Sequence, residues 1–301
     1  MNLNDLVLFD RLEVIRNTIN KYGEENFYIS FSGGKDSTII HHLIDEALPN
    51  NKIPRVFINT GIEYLDIVKH VKELAKNDER IVIYNSGVNI QQMLKKYGYP
   101  FKSKEHANKV AIYQNSGIGK TVKTYLTGIK ESGEKNFYKC PKVLEYQFTE
   151  KNKLNISDKC CYKLKKEVAH RYEKEFRKST AIIGLRSSEG GTRIQHKGCV
   201  VFNGDKLKKF KPINPCTDEW CDWYVESRNI KLCKLYYPPF DFKRTGCKGC
   251  PFALDLQKQL SVMEELLPNE RKQCEILWKP VYDEYRRIGY RLDKNEQGKL
   301  F

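Results

Sequence analysis

The apolar positions of this chain alternate between short β-prone runs and longer runs with helical spacing. In the first hundred residues, three runs of strand length are each followed by a helical pattern. The pattern predicts strands over 27–31, 54–59 and 81–84 and helices over 1–22, 36–48, 65–75 and 90–96. Strands that alternate with helices indicate an α/β fold with a parallel sheet and crossover helices.

The rest of the chain follows the same alternation less regularly. The pattern predicts helices over 160–176 and 218–228, strands over 181–185 and 199–202, and a helical C-terminal region. Residues 97–157 match no regular pattern, and we expect helices and loops there, as an insertion. We therefore expect an α/β domain over 1–245 and a helical region, containing cysteines, over 246–301.

A glycine-rich segment joins the first predicted strand to the helix that follows it. Its residues are Ser32, Gly33, Gly34, Lys35, Asp36, Ser37 and Thr38. Glycines let backbone amides approach a phosphate closely, and a helix N-terminus favours negative charge. The hydroxyls and the lysine add donors, and a carboxylate beside phosphate suits Mg²⁺. The segment predicts a nucleotide-phosphate site; the alternative is a turn that merely connects strand and helix.

Two further loops follow predicted strands. The first contains Asn59, Thr60, Gly61 and Glu63, and the second contains Arg186 and Arg193. Ligands of parallel sheets bind at the carboxyl ends of strands, and arginine grips phosphate or sulfate with two parallel hydrogen bonds. The alternatives are a plain helix-entry turn for the first loop and arginines paired with surface carboxylates for the second.

Ten cysteines in a chain without a secretion signal argue against a disulfide framework. Two pairs stand out, and they are Cys160 with Cys161 and Cys247 with Cys250. Four thiolates suit zinc or an iron–sulfur cluster, although a vicinal pair is unusual for structural zinc. The remaining alternative is that these cysteines are unliganded or redox-active. We expect most of the others to be small buried hydrophobes; they are Cys140, Cys199, Cys216, Cys221, Cys233 and Cys274.

Residues 32–37 resemble the pyrophosphate loop (PP-loop) of the ATP pyrophosphatase superfamily. The two cysteine pairs, with Cys161 and Cys247 86 positions apart, are similar to the 4Fe–4S pattern of adenylyl-sulfate reductases. The loops at 59–63 and 184–193 resemble segments that lie near the nucleotide in this family. The resemblance implies a Rossmann-like sheet of the adenine nucleotide alpha hydrolase type. It also implies bound ATP or (phospho)adenylyl sulfate, and a 4Fe–4S cluster on Cys160, Cys161, Cys247 and Cys250.

One departure from the reductases concerns the mechanism. Those enzymes attack the nucleotide with a cysteine on a C-terminal tail, whereas the last cysteine here is Cys274. We therefore expect an enzyme that adenylates an acceptor, releases pyrophosphate and couples this to sulfur transfer through the cluster. Its expected catalytic residues are Lys35, Asp36, Arg186 and Arg193. The alternatives are a divergent reductase and a non-catalytic nucleotide-binding or redox-sensing subunit.

The formal net charge of +15 favours polyanionic partners, so a nucleic-acid acceptor is one expectation. The basic residues are scattered along the chain, however, and a lysine-rich solvated surface is the alternative. A sulfur donor or reductant protein is a further expected partner. Without a signal peptide or an apolar run of membrane-span length, we expect a cytoplasmic protein. The sequence leaves the oligomeric state open.

Overall fold

The structure is a computed structural model that describes residues 2–189 and 198–294. Its strands are β1 (Phe27–Ser30), β2 (Arg55–Asn59), β3 (Ile81–Asn85), β4 (Thr180–Ile182), β5 (Val200–Asn203) and β6 (Lys206–Phe210). Its α-helices are α1 (Leu3–Tyr22), α2 (Lys35–Ala47), α3 (Leu65–Asn77), α4 (Ile90–Tyr97), α5 (Lys104–Ser116), α6 (Lys120–Thr127), α7 (Lys159–Cys161), α8 (Glu167–Glu175), α9 (Asp218–Ser227), α10 (Leu256–Leu266) and α11 (Pro268–Ile288). A π-helical turn, Tyr162–Lys166, lies between α7 and α8.

The chain divides into two compact units, each built from two separate stretches. The first unit comprises residues 1–86 and 167–246, and the second comprises 87–166 and 247–301. Residues 97–157, which we expected as an insertion in a domain over 1–245, therefore group with the C-terminal region. The packing of Phe101 against Tyr285, with ring centroids 4.5 Å apart, is one contact that ties these stretches together.

The first unit contains a six-stranded sheet in the order β3-β2-β1-β4-β6-β5. All neighbouring strands are parallel except β5 and β6, which form an antiparallel hairpin at one edge. The prediction of a parallel α/β sheet is confirmed. Strand β6 was not predicted, because its lysines hide a strand that buries only Leu207 and Phe210. Strand β4 ends at Ile182, three residues earlier than expected.

Strand β1 lies inside the sheet, and its position explains its composition. Phe27, Tyr28 and Ile29 are buried, as expected for a strand covered on both faces. Helix α2 follows directly and buries an apolar stripe that includes Ile40 and Leu43. The segment between β1 and α2 is therefore held by a buried inner strand of the sheet.

The second unit is helical in its described parts, and aromatic side chains of α11 fill much of its core. Trp278, Tyr282 and Tyr285 are fully buried, and they follow one another at helical spacing. The prediction of a helical C-terminal region is confirmed. Among residues 2–189 and 198–294, none of the helices combines the length and apolar character that crossing a membrane requires.

A buried ionic network ties α2 to the strand that follows it. Arg55 is fully buried and donates to Asp45 at 2.6 Å, while Arg80 donates to Asp45 at 2.8 Å and binds Asp78 at 2.8 Å. Burial alone would raise the pKa of Asp78, but the hydrogen bonds from Arg80 lower it to about 2. His41, Asp45 and Asp78 offer ligand atoms within 4.8 Å of one another. The two guanidinium groups already supply the positive charge there, so the network is structural.

Replacing Asp45→Asn leaves Arg55 buried without its main counter-charge. We expect a loss of about 3 kcal/mol of stability at pH 7, because an uncompensated buried charge is costly. Urea unfolding monitored by circular dichroism measures this loss. The control is Glu73→Gln, which disrupts the exposed pair with Lys76 and is expected to cost less than about 1 kcal/mol. Equal losses of stability in the two variants would contradict the role of Asp45 as the main counter-charge of Arg55.

Because of the same network, we expect the first unit to lose stability in acid. A carboxyl whose pKa is lower in the folded than in the unfolded chain stabilises the fold above the unfolded pKa, about 4 for aspartate. That contribution disappears as the pH falls toward the folded pKa, which is about 2 for Asp78. We therefore expect the urea midpoint to fall between pH 5 and about pH 2, and to fall less steeply in Asp78→Asn.

Candidate phosphate and cysteine sites

The segment after β1 is a tight turn that only glycine fits. Gly33 has φ +68°, and a Cβ atom there would meet the Cγ2 atom of Val71 at 2.6 Å. Gly34 is the N-cap of α2, and a Cβ atom on it would meet the hydroxyl oxygen of Tyr236 at 2.9 Å. The turn therefore places the N-terminus of α2 at the carboxyl end of β1, where an anion is favoured.

The hydroxyl groups of this loop hold the loop itself. Ser37 Oγ accepts from the Ser32 amide at 3.1 Å and donates to the Gly34 carbonyl at 2.9 Å. Thr38 Oγ1 donates to the same carbonyl at 3.0 Å. Ser37 and Thr38 are buried, whereas Ser32 is exposed. Ser32, Ser37 and Thr38, which the sequence predicts as binding residues, thus form hydrogen bonds that shape the loop. Of these three residues, only Ser32 is exposed.

Two positive side chains lie at the loop, and each is paired with carboxylates. Lys35 forms an ion pair with Asp222. Arg186, only 5 % exposed, donates from Nε to Asp36 at 3.0 Å and pairs through Nη1 with Asp218 at 2.6 Å. Burial opposes the charged form of Arg186, but the two carboxylates hold its pKa above the ordinary value. The structure thus brings together Lys35, Asp36 and Arg186.

Sequence reasoning missed the carboxylates of α9. Asp218 and Asp222 are one helical turn apart, so they lie on the same face and reach Arg186 and Lys35, respectively. The helix itself was predicted, but the role of its carboxylates was not. Two carboxylates at this spacing were the signal that could have identified this face.

Tyr236 was also missed as a residue of the site. Its hydroxyl accepts a hydrogen bond from the Lys35 amide at 3.1 Å and shares another with Thr245 Oγ1 at 2.6 Å. The contact spans 201 positions of the chain, so no local pattern could reveal it. Tyr236 therefore fixes the first residue of α2 from outside the loop.

The loop after β2 is braced by a buried carboxylate. Glu63 accepts from the Thr60 amide at 2.9 Å, the Thr60 hydroxyl at 2.7 Å and the Gly61 amide at 3.1 Å. Asn59 donates to Asn85 at 3.1 Å, which links the ends of β2 and β3. Glu63 thus holds the loop in shape next to the central strand. Arg193, the second predicted arginine, lies outside the described residues.

The four predicted cysteine ligands belong to the second unit. Cys160 is buried, whereas Cys161, Cys247 and Cys250 are half-buried. Burial raises the pKa of Cys160, and the other three thiols lie close enough to raise it further. Burial and the neighbouring thiol of Cys247 likewise raise the pKa of Cys250 to about 12. Cys160 thus lies near the other three thiols, and a cation bound among them would remove the repulsion that its thiolate meets.

Helix α11 clamps the loop that carries the second cysteine pair. Trp278 Nε1 donates to the Lys248 carbonyl at 3.2 Å, the Tyr282 hydroxyl donates to the Gly249 carbonyl, and the Tyr285 hydroxyl donates to the Pro251 carbonyl at 2.9 Å. Three carbonyls of one short turn are therefore fixed by one helix face.

In the same loop, Gly249 packs closely against the side chain of Cys274. Gly249 has φ +58°, and a Cβ atom there would meet Cys274 Sγ at 2.7 Å. Cys274 is only 1 % exposed, and burial raises its pKa to about 12. The packing expectation therefore fits Cys274, which lies beneath the loop as a small buried side chain.

Comparison with known proteins places the chain in a family. The phosphoadenosine phosphosulfate reductase domain matches residues 26–136 and 121–253. Two uncharacterized proteins of Methanocaldococcus jannaschii are 33 % and 35 % identical over 111 and 86 residues, or 34 % and 29 % of this chain. Those matches span only 26 % and 18 % of the relatives' own lengths.

A solved structure is similar over most of the chain. It is the phosphate complex of the phosphoadenylyl-sulfate (PAPS) reductase of Candida auris, 15 % identical with a TM-score of 0.46, over 82 % of this chain and 96 % of that one. The parallel sheet with a glycine turn at the end of β1 defines a PP-loop nucleotide-binding fold. Because the domain match covers well over half of the sequence, the chain belongs to the phosphoadenosine phosphosulfate reductase domain family.

Replacing Gly33→Ala tests the loop geometry. We expect a loss of stability of more than about 2 kcal/mol, because the positive φ alone costs roughly 1–2 kcal/mol for an alanine and the contact with Val71 adds to it. Urea unfolding measures the loss. Gly87→Ala is the control, since Gly87 has φ +66° with nothing within 4 Å of the added Cβ. Val71→Ala should cost less stability in the Gly33→Ala background than in the unchanged protein, and equal costs in the two backgrounds would contradict the contact.

Proposed function

We propose that this protein is an enzyme that binds ATP at the Ser32–Thr38 loop and transfers AMP to an acceptor, with release of pyrophosphate. The observation that carries the proposal is the pairing of Lys35 and Arg186 with carboxylates at the N-terminus of α2. A polyphosphate offers these two cations stronger partners than single carboxylates. The loop, the helix end and both cations would then act on the same group of phosphates.

The residues divide into two roles in this proposal. Lys35 and Arg186 stabilise negative charge on the phosphate oxygens, with Arg193 as a second guanidinium, while Asp36 helps to hold Mg²⁺. A nucleophile of the acceptor forms a bond to the α-phosphorus, the bond to the bridging oxygen breaks, and the electron pair leaves with pyrophosphate. The loop of Asn59, Thr60, Gly61 and Glu63 forms a wall of the nucleotide site.

The cysteine site serves sulfur transfer in the same proposal. Cys160, Cys161, Cys247 and Cys250 would hold a 4Fe–4S cluster, and the cluster would supply an iron site that binds sulfur. The clamp of α11 on the carbonyls of the Cys247–Cys250 turn keeps two of the thiolates at a fixed spacing. A sulfur donor or reductant protein completes the reaction.

Family membership favours one alternative, a divergent phosphoadenylyl-sulfate or adenylyl-sulfate reductase. Such an enzyme needs an accessible thiol, and Cys274 is too buried to be that group. Release of sulfite from adenylyl sulfate in the presence of a dithiol protein would support the alternative. Release of AMP and pyrophosphate from ATP with a candidate acceptor would support the proposal.

The loop's role in binding is tested by Lys35→Ala. Loss of one charge-assisted contact is expected to weaken the binding of ATP·Mg and of inorganic pyrophosphate by about 10- to 100-fold, and to leave the binding of adenosine unchanged. Isothermal titration calorimetry measures the affinity for each ligand. Lys52→Ala, at an exposed lysine of the same unit, is the control. Equal affinities of Lys35→Ala and the control for pyrophosphate would overturn the assignment of the loop.

The metal is tested by anaerobic purification followed by absorption spectroscopy and by iron and sulfide analysis. We expect a broad visible band that disappears in Cys160→Ser and in Cys250→Ser, since each loses one of four ligands. Cys140→Ser replaces a buried cysteine of the same unit and should keep the band. A colourless protein that contains zinc and no sulfide would overturn the iron–sulfur assignment.

A further inference from the structure

The excess positive charge of this protein is concentrated in one stretch. Residues 87–166 contain 17 lysines, no arginine and six acidic residues, a net charge of +11 out of +15. Basic residues occur throughout the chain, but outside this stretch acidic residues nearly balance them. The stretch belongs to the second unit, which also contains the four paired cysteines.

Within this stretch, three lysines surround one aromatic ring. The Nζ atoms of Lys96, Lys159 and Lys163 lie 5.3, 5.8 and 5.0 Å from the ring centroid of Tyr97. Lys96 comes from α4, Lys159 from α7, and Lys163 from the π-helical turn. Separate elements thus bring like charges to one place, which local sequence alone does not require.

Three ammonium groups this close repel one another, and the Tyr97 ring offsets only part of that cost. A cation over an aromatic ring gains about 0.5–1 kcal/mol at an exposed site. Repulsion between exposed charges is tolerated at moderate salt, but it leaves a positive potential that attracts an anion. The arrangement is therefore better suited to a ligand with several negative charges than to one with a single charge.

An exposed aromatic side chain lies next to these lysines. Tyr162 is 47 % exposed, and Lys163 Nζ lies 5.9 Å from its ring centroid. Lys159, Cys160, Cys161, Tyr162 and Lys163 are consecutive, so the charges and the ring flank the first cysteine pair. An exposed ring between positive charges offers a stacking surface for an unpaired base.

We propose that Lys96, Tyr97, Lys159, Tyr162 and Lys163 form a binding site for a single strand of nucleic acid. The lysines contact consecutive phosphates, and one unstacked base packs on Tyr162, beside Cys160 and Cys161. A duplex keeps its bases stacked and cannot offer that contact. The inference rests on the proposed function in one respect, because it names the chemical class of the acceptor.

Fluorescence anisotropy with a labelled 12-nucleotide single strand, without ATP, tests the site on the anaerobically purified protein. Replacing the three lysines, Lys96→Gln, Lys159→Gln and Lys163→Gln together, should reduce the slope of log affinity against log salt by about 2, since each phosphate contact on a single strand contributes about 0.7. Affinity near 0.1 M salt should then fall by about 100-fold.

The control removes the same charge from three exposed lysines elsewhere in the second unit, with Lys123→Gln, Lys135→Gln and Lys151→Gln. This variant should bind nearly as well as the unchanged protein. Tyr162→Ala should weaken binding by about 5- to 150-fold through lost stacking, and Tyr162→Phe should restore it. Circular dichroism melts of all variants show whether each remains folded.

Four ligands separate the outcomes, namely single-stranded RNA, single-stranded DNA, duplex DNA and polyglutamate. Preferential binding of either single strand supports the site and identifies its ligand as RNA or DNA. Equal binding of polyglutamate, or equal loss in both triple variants, would overturn the proposal in favour of an acidic protein partner or general charge attraction. Strand binding without ATP binding would overturn the proposed function alone, and ATP binding without strand binding would overturn this inference alone.

Discussion

The charge balance at the end of β1 is the constraint on which the proposed phosphate site depends. Lys35 and Arg186 lie at the N-terminus of α2, where the helix dipole already contributes positive charge. Without carboxylates, a guanidinium that is only 5 % exposed could not remain charged at low cost. Asp36 and Asp218 supply the negative charge that offsets Arg186. The positions of α2, α9 and the loop after β4 therefore depend on one another.

The two cations are not equivalent. Asp222, the partner of Lys35, has 58 % of its side chain exposed, so their pair is screened and easily exchanged. Arg186 and Asp36 are more deeply buried, with 6 % and 25 % of their side chains exposed, and their pair is the more persistent one. A phosphate ligand would therefore recruit Lys35 by displacing a weak partner, whereas Arg186 is already oriented by Asp36 before any ligand arrives.

The parts of this protein that sequence could predict are those that local patterns encode. Strand β1, the glycine turn and the start of α2 are adjacent in the chain, and the cysteine pairs are conspicuous by spacing. Tyr236 and Asp222 were missed because they reach Lys35 across 201 and 187 positions. Strand β6 was missed because only two of its residues are buried, and the grouping of 87–166 with 247–301 depends on packing that periodicity does not report.

In the second unit, sequence periodicity identifies a buried helix face but not the hydrogen bonds that this face makes. The periodicity of α11 identifies Trp278, Tyr282 and Tyr285 as one buried face, which is the usual signature of core packing. Their polar atoms nevertheless hold the carbonyls of Lys248, Gly249 and Pro251, so the face also fixes the Cys247–Cys250 turn. The other cysteine pair lies where α7 passes into a π-helical turn, a less regular backbone. Of the two pairs, the one on the clamped turn is held in a fixed conformation, and the one at the end of α7 lies on backbone that is easier to rearrange.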